Sequence, residues 1–65
     1  MSTFHDYKDA AGNWMRVELD RNGTLVRAWS DVSDNNRAQW HLLSSAGALD
    51  LVAKDLREGA ALVPA

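Results

Sequence analysis

Apolar and polar positions alternate from Asn13 to Ser30, broken once by Asn22-Gly23. A period of two is the mark of a half-buried strand. Asn-Gly between two such runs is a hairpin turn, because both central residues accept positive φ. A second turn signal, Asp9-Ala10-Ala11-Gly12, separates these runs from an earlier one. The pattern predicts a three-stranded antiparallel meander over Thr3–Lys8, Asn13–Arg21 and Thr24–Ser30.

A two-residue turn at Asn22-Gly23 sets the register of the second hairpin. Arg21 then faces Thr24, Leu19 faces Val26, Glu18 faces Arg27, Val17 faces Ala28 and Arg16 faces Trp29. One face carries Met15, Val17, Leu19, Val26 and Ala28 and reads as the core side. The other carries Trp14, Arg16, Glu18, Leu25, Arg27 and Trp29. A four-residue first turn adds Phe4 to the core face beside Val17. It sets Tyr7 opposite Trp14 and His5 opposite Arg16 on the second face.

The period changes after Ser30. Asp31, Ser33 and Asp34 are competent N-caps, and Asn36–Leu43 reads as a short helix. Ser44-Ser45 offers a break and a fresh cap. From Ala46 the apolar positions Leu49, Val52, Ala53, Leu56 and Ala60 follow amphipathic helical spacing. Gly59 can end this helix, and there is room for a third helical turn around Ala60–Val63 before Pro64. The expected fold class is α+β, one domain over 1–65. Residues 1–30 form the meander, and 31–65 carry two or three short C-terminal helices.

Sixty-five residues lie near the lower limit for an unassisted core. The chain has no cysteine, which removes disulfide staples and thiolate metal sites and suits a reducing compartment. It has no apolar run approaching the roughly 18 residues of a membrane span. The start, MSTFHDYKD, is polar and acidic, unlike a signal peptide. A cytoplasmic protein with no membrane contact is expected. Nine acidic residues against seven basic ones give a formal net charge of −2, which argues against direct nucleic-acid binding.

Catalytic chemistry finds little to use. His5 and His41 stand alone, without a metal-ligand spacing around them. Ser44-Ser45 lacks a nucleophile-elbow context, and the four glycines are isolated, so there is no phosphate loop. No catalytic residue, metal or other cofactor is expected. The second sheet face is the better candidate. Trp14, Trp29, Tyr7 and Arg16 are the residue types enriched in interface hot spots, although a helix or Trp40 folding over them would make the same set a second core layer. Arg16 opposite Trp29 suits a cation–π pair and Glu18 opposite Arg27 an ion pair. On the last helix Asp50, Lys54, Glu58 and Arg57 largely neutralise one another. Asp20, Asp31 and Asp34 lack close basic neighbours, and clustered they would imitate spaced phosphates. With Glu58 they complete the candidate acidic contacts.

Two resemblances bear on function. Phe4-His5-Asp6-Tyr7-Lys8-Asp9-Ala10-Ala11-Gly12-Asn13-Trp14-Met15-Arg16, followed by Asn22-Gly23, resembles the F-x-x-Y-K-D-x-x-G-x-W-x-R…N-G signature of YegP-like small β-hairpin domains. The likeness covers about the first third, and AWSDVSDNNRAQW then replaces that family's Ser/Gly/Tyr-rich stretch. It implies a fold and a module that self-associates through its sheet, but no chemistry. In length, strand-then-helix order and its ending, AKDLREGAALVPA, the whole chain also resembles small phage anti-CRISPR proteins directed at type I-C systems. That resemblance implies a host-cytoplasmic inhibitor of a Cascade effector complex. It would bind the large, PAM-reading subunit and block target DNA, partly by acidic DNA mimicry. Its protein partner would then be a CRISPR effector subunit, with the chain itself a monomer or weak dimer. The weaker alternative is single-strand binding through Tyr7, Trp14 and Trp29.

Overall fold

The three predicted strands form the centre of a wider antiparallel sheet in the computed structural model, which describes residues 1–32 and 39–65. The elements are β1 (Thr3–Lys8), β2 (Trp14–Leu19), β3 (Leu25–Asp31), β4 (Trp40–Leu42), α1 (Ala46–Arg57) and β5 (Val63–Pro64). The sheet order is β4-β3-β2-β1-β5. The fold is α+β, with five strands and one helix among the described residues, where three strands and two or three helices were expected.

Both hairpin turns are built alike, and neither is the two- or four-residue turn expected from sequence. In the first, the Asp9 amide donates to the Asn13 carbonyl at 2.9 Å and the Gly12 amide to the Asp9 carbonyl at 3.0 Å. Oδ1 of Asp9 accepts from the amides of Ala11 and Asn13. In the second, Asp20, Asn22, Gly23 and Thr24 make the same four bonds. Gly12 and Gly23 sit at φ 85° and 80°, the left-handed position that closes each loop. The motif is Asp-x-x-Gly-x, five residues long.

That one extra residue reverses β1. Tyr7 pairs with Met15, His5 with Val17 and Thr3 with Leu19, so Tyr7 and His5 lie on the core face. Phe4, Asp6 and Lys8 pair with Glu18, Arg16 and Trp14 on the opposite face. The expected positions of Phe4, His5 and Tyr7 are all inverted, because a one-residue slip exchanges the two sides of a strand. Between β2 and β3 the pairs Arg16–Trp29, Glu18–Arg27 and Val17–Ala28 stand as expected. Beyond Glu18 a bulge shifts the register, and Leu19 faces Leu25 instead of Val26. Leu25 therefore packs on the core, while Val26 is exposed.

The segment expected to be helical up to Leu43 is strand over Trp40–Leu42, and 36–38 lie outside the described residues. An isolated eight-residue helix has little stability of its own. Pairing on β3 instead satisfies the edge, with Val32 donating to Gln39 and Leu43 to Ala28, both at 2.8 Å. The third helical turn is absent as well. Gly59 (φ 86°) donates to Leu56 and Ala60 to Asp55, a Schellman close to α1. The chain then returns along β1, with Val63 opposite Asp6 and Pro64 opposite His5.

α1 starts at Ser45, whose hydroxyl accepts from the Ala48 amide at 3.2 Å. It lays Leu49, Val52 and Leu56 over Tyr7, Met15, Val17, Leu19 and Ala28. Each fully buried Val or Tyr here contributes roughly 1.5–3 kcal/mol. The helix thus covers the aliphatic face, and among the described residues no helix lies on the other face of the sheet.

Candidate protein-binding face

Alternation and register together decide what the open face carries. β1 contributes Phe4, Asp6 and Lys8, and β2 contributes Trp14, Arg16 and Glu18. β3 adds Arg27, Trp29 and Asp31. Trp40 and Leu42 extend the face on β4, opposite Asp31 and Trp29, and Val63 extends it on β5. Four of the chain's five aromatic residues therefore lie on the side that no helix covers among the described residues.

These side chains interlock. The rings of Phe4 and Trp29 lie 5.9 Å apart and tilted by 38°. The Arg16 guanidinium sits 4.3 Å from the Trp40 ring centroid. The cation–π partner is thus Trp40, not the Trp29 directly opposite. Phe4, Arg16, Trp29, Trp40 and Ala65 line a shallow cleft of about 390 Å³. At the first-turn end the Lys8 ammonium lies 5.3 Å from the Trp14 ring.

Both guanidinium groups of the face are paired within it. Arg16 donates from Nε to Asp6 Oδ1 at 2.8 Å and from Nη2 to Asp6 Oδ2 at 3.0 Å. This two-pronged bond, more than charge attraction alone, raises the Arg16 pKa. Arg27 donates to Glu18 Oε1 at 2.8 Å, the expected ion pair, and the Glu18 carboxylate is buried beneath its neighbours. Both Arg side chains are partly exposed, so each pair is worth about 1 kcal/mol or less.

Trp14, Trp29 and Arg16 therefore share one face by register, Trp14 contacting Lys8 and Arg16 contacting Trp40, and Tyr7 does not join them. Tyr7 is 1% exposed in the core, its hydroxyl donating to Asp55 Oδ2. The candidate acids do not come together. Asp20 holds the second turn through its carboxylate, and Asp31 ends β3 at the opposite end of the sheet. Seven residues of strand, about 20 Å, separate them. Glu58 caps α1, 3.8 Å from Lys54, and Asp34 lies outside the described residues. Oδ1 of Asp31 is buried with no hydrogen-bond partner among the described residues.

Phe4, Lys8 and Leu42 belong to the face without having been anticipated on it, and Trp40, expected as one possible cover for it, lies on it against Arg16. The signal for Phe4 and Lys8 is the repeated Asp-x-x-Gly-x turn, visible as Asp9…Gly12 and Asp20…Gly23. Alternation in Trp40-His41-Leu42 is the signal for β4.

On the helix side a larger groove of about 770 Å³ runs between the first turn, the end of β3 and α1. Its carboxylates are Asp9, Asp31 and Asp55; Asp9 serves the turn and Asp55 accepts from Tyr7. Among the described residues its lining holds no His, Lys or Arg side chain. Among the described residues no three His, Asp or Glu side chains gather to hold a metal ion, and no helix is long and apolar enough to cross a membrane. The chain matches no family model, no curated protein and no solved structure.

Proposed function

We propose that this chain is a non-catalytic module that docks a protein partner on the open face of its sheet. One observation carries the reading: Phe4, Trp14, Trp29 and Trp40 share an uncovered face whose arginines are already paired with its own carboxylates. Aromatic area with internally neutralised charge is the composition of a protein interface core. A single-strand site needs several cations free to meet phosphates, and here Asp6 and Glu18 occupy both guanidinium groups, leaving Lys8 beside Trp14. Partner binding then rests on Trp14, Trp29 and Arg16 with their newly recognised neighbours.

For the partner, the anti-CRISPR resemblance supplies the class: a subunit of a type I-C Cascade effector, bound so that target DNA is excluded. Aromatic contact leads in this proposal, and acids contribute at most at the rim, since Asp20, Asp31 and Glu58 are dispersed. The test is co-purification with the type I-C effector complex and assay of its binding to a PAM-bearing duplex. Capture with loss of duplex binding, both abolished by Trp14→Ala, is the expected result. A folded wild-type protein that neither binds nor inhibits the complex removes this partner.

A further inference from the structure

The two outer edges of the sheet are protected unequally. On β5, Ala65 donates to Phe4 and Pro64 stands opposite His5, so the position whose main-chain nitrogen points away from β1 is a proline. That edge offers no donor there. On β4 the ladder runs through Leu43–Ala28 and Val32–Gln39. With Ser30 opposite His41, antiparallel alternation makes Ser30–His41 the bonded pair between them. The N–H and C=O groups of Trp40 and Leu42 therefore point away from β3, toward an edge that no other described strand pairs. Gln39–Leu43 contains no proline, lysine or carboxylate, the residues that usually guard such an edge.

We infer that β4 is a homodimerisation strand, which pairs antiparallel with β4 of a second copy about a two-fold axis at His41. The occupant follows from the pattern of the edge. Centred on His41, the two-fold sets Trp40 of one copy opposite Leu42 of the other, and each such pair exchanges both N–H···O bonds. The side chains brought together are Trp against Leu, both apolar and both on the open face, and His41 against its own copy on the other face. No like charges meet among them. α1 packs over β3 and leaves β4 clear.

An axis perpendicular to the sheet keeps both aromatic faces on one side. A single face measures about 20 × 24 Å, on the order of 500 Å², whereas a standard interface buries about 800 Å² per partner. Joining two copies roughly doubles the contiguous aromatic face. Dimerisation and docking are nevertheless separate claims, because edge pairing uses the backbone of β4 and leaves Trp14 and Phe4 free.

Sedimentation equilibrium of the isolated full chain over a wide concentration range tests the dimer without any target. The mass should rise from the 7.2 kDa monomer to twice that value. Leu42→Lys, at a side chain 56% exposed, should weaken association by about tenfold or more. Leu42→Pro, which removes an outward donor that β3 does not use, should do the same, with circular dichroism reporting the fold of both variants. The amides of Trp40 and Leu42 should exchange more slowly as dimer forms. A strictly monomeric wild type overturns the inference. So does a dimer that resists both substitutions, or one abolished by Trp14→Lys while the Trp40 and Leu42 amides stay unprotected.

Discussion

The Tyr7 hydroxyl donates to Asp55 Oδ2 at 2.9 Å and so ties the first strand to the last full turn of the helix. It is the one polar link from the strands to α1 among the side-chain hydrogen bonds of the described residues, and it lies beside the fully buried Val17 and Val52. Tyr7→Phe keeps the ring packing but leaves Asp55 without this donor. The expected cost is about 1 kcal/mol, read as a lower urea midpoint at unchanged slope.

The same bond sets an alkaline limit. Burial, then the bond to Asp55, raises the Tyr7 pKa well above its ordinary value of 10.0. Below that value the phenol is protonated folded and unfolded, and its contribution is complete. Above it the unfolded chain releases the proton while the fold retains it, so stability falls as pH rises toward the folded pKa. Denaturation between pH 9 and 12 (about one unit below to two above the ordinary value) should show this slope in wild type. In Tyr7→Phe the slope should be shallower; an identical slope would assign the alkaline loss to other groups.

The paired Asp-x-x-Gly-x turns make a sharper prediction about register. Asp9 and Asp20 each present one carboxylate oxygen to two backbone amides. Asp9→Ala and Asp20→Ala should each cost about 1–2 kcal/mol. Asn should recover much of that loss, because it retains the acceptor. Near-neutral Ala variants in a thermal or urea melt would show the turns to be set by the strands instead.

These turns also explain what could be read from the residues and what could not. Alternation in β2 and β3 identifies the core side at Met15, Val17 and Ala28, and apolar spacing places α1 to within a residue or two. Turn length is a smaller signal with larger consequences. Reading Asp9–Gly12 as four residues moves Tyr7 to the wrong face and hides Phe4, although nothing in β1's own composition is misread. β4 and β5 are tertiary outcomes. Trp40-His41-Leu42 and Val63-Pro64 are too short to declare themselves and become strands because β3 and β1 have edges to pair. Of the candidate site, Trp14, Trp29 and Arg16 were legible from pairing in β2 and β3, and its largest additions come from the strands that were not.

Trp14 offers a clean probe of the open face, since it is 42% exposed and lies outside the Phe4–Trp29 contact. Trp14→Ala should shift stability by no more than about 0.5 kcal/mol. Against a protein partner the loss should reach about 2 kcal/mol, the scale of an interface hot spot. Calorimetry or surface-plasmon titration beside a thermal melt separates the two. Equal losses in both would recast Trp14 as a structural residue.

Charge neutralisation within the face can be undone deliberately. Asp6 holds Arg16 by two bonds and Glu18 holds Arg27 by one, so neither guanidinium is free to meet a phosphate. Wild type should therefore show no salt-sensitive quenching of tryptophan fluorescence by single-stranded oligonucleotide. The double variant Asp6→Asn, Glu18→Gln keeps side-chain size and acceptor oxygens while removing two negative charges, which takes the formal net charge from −2 to 0. Two cations beside Trp29 and Trp40 then form the combination that stacks bases and tracks phosphates. Its affinity for single strands should rise and then fall with added salt, with a log–log slope of magnitude about 1–2. Strong salt-dependent binding already present in wild type would return the face to nucleic acid and displace the protein partner.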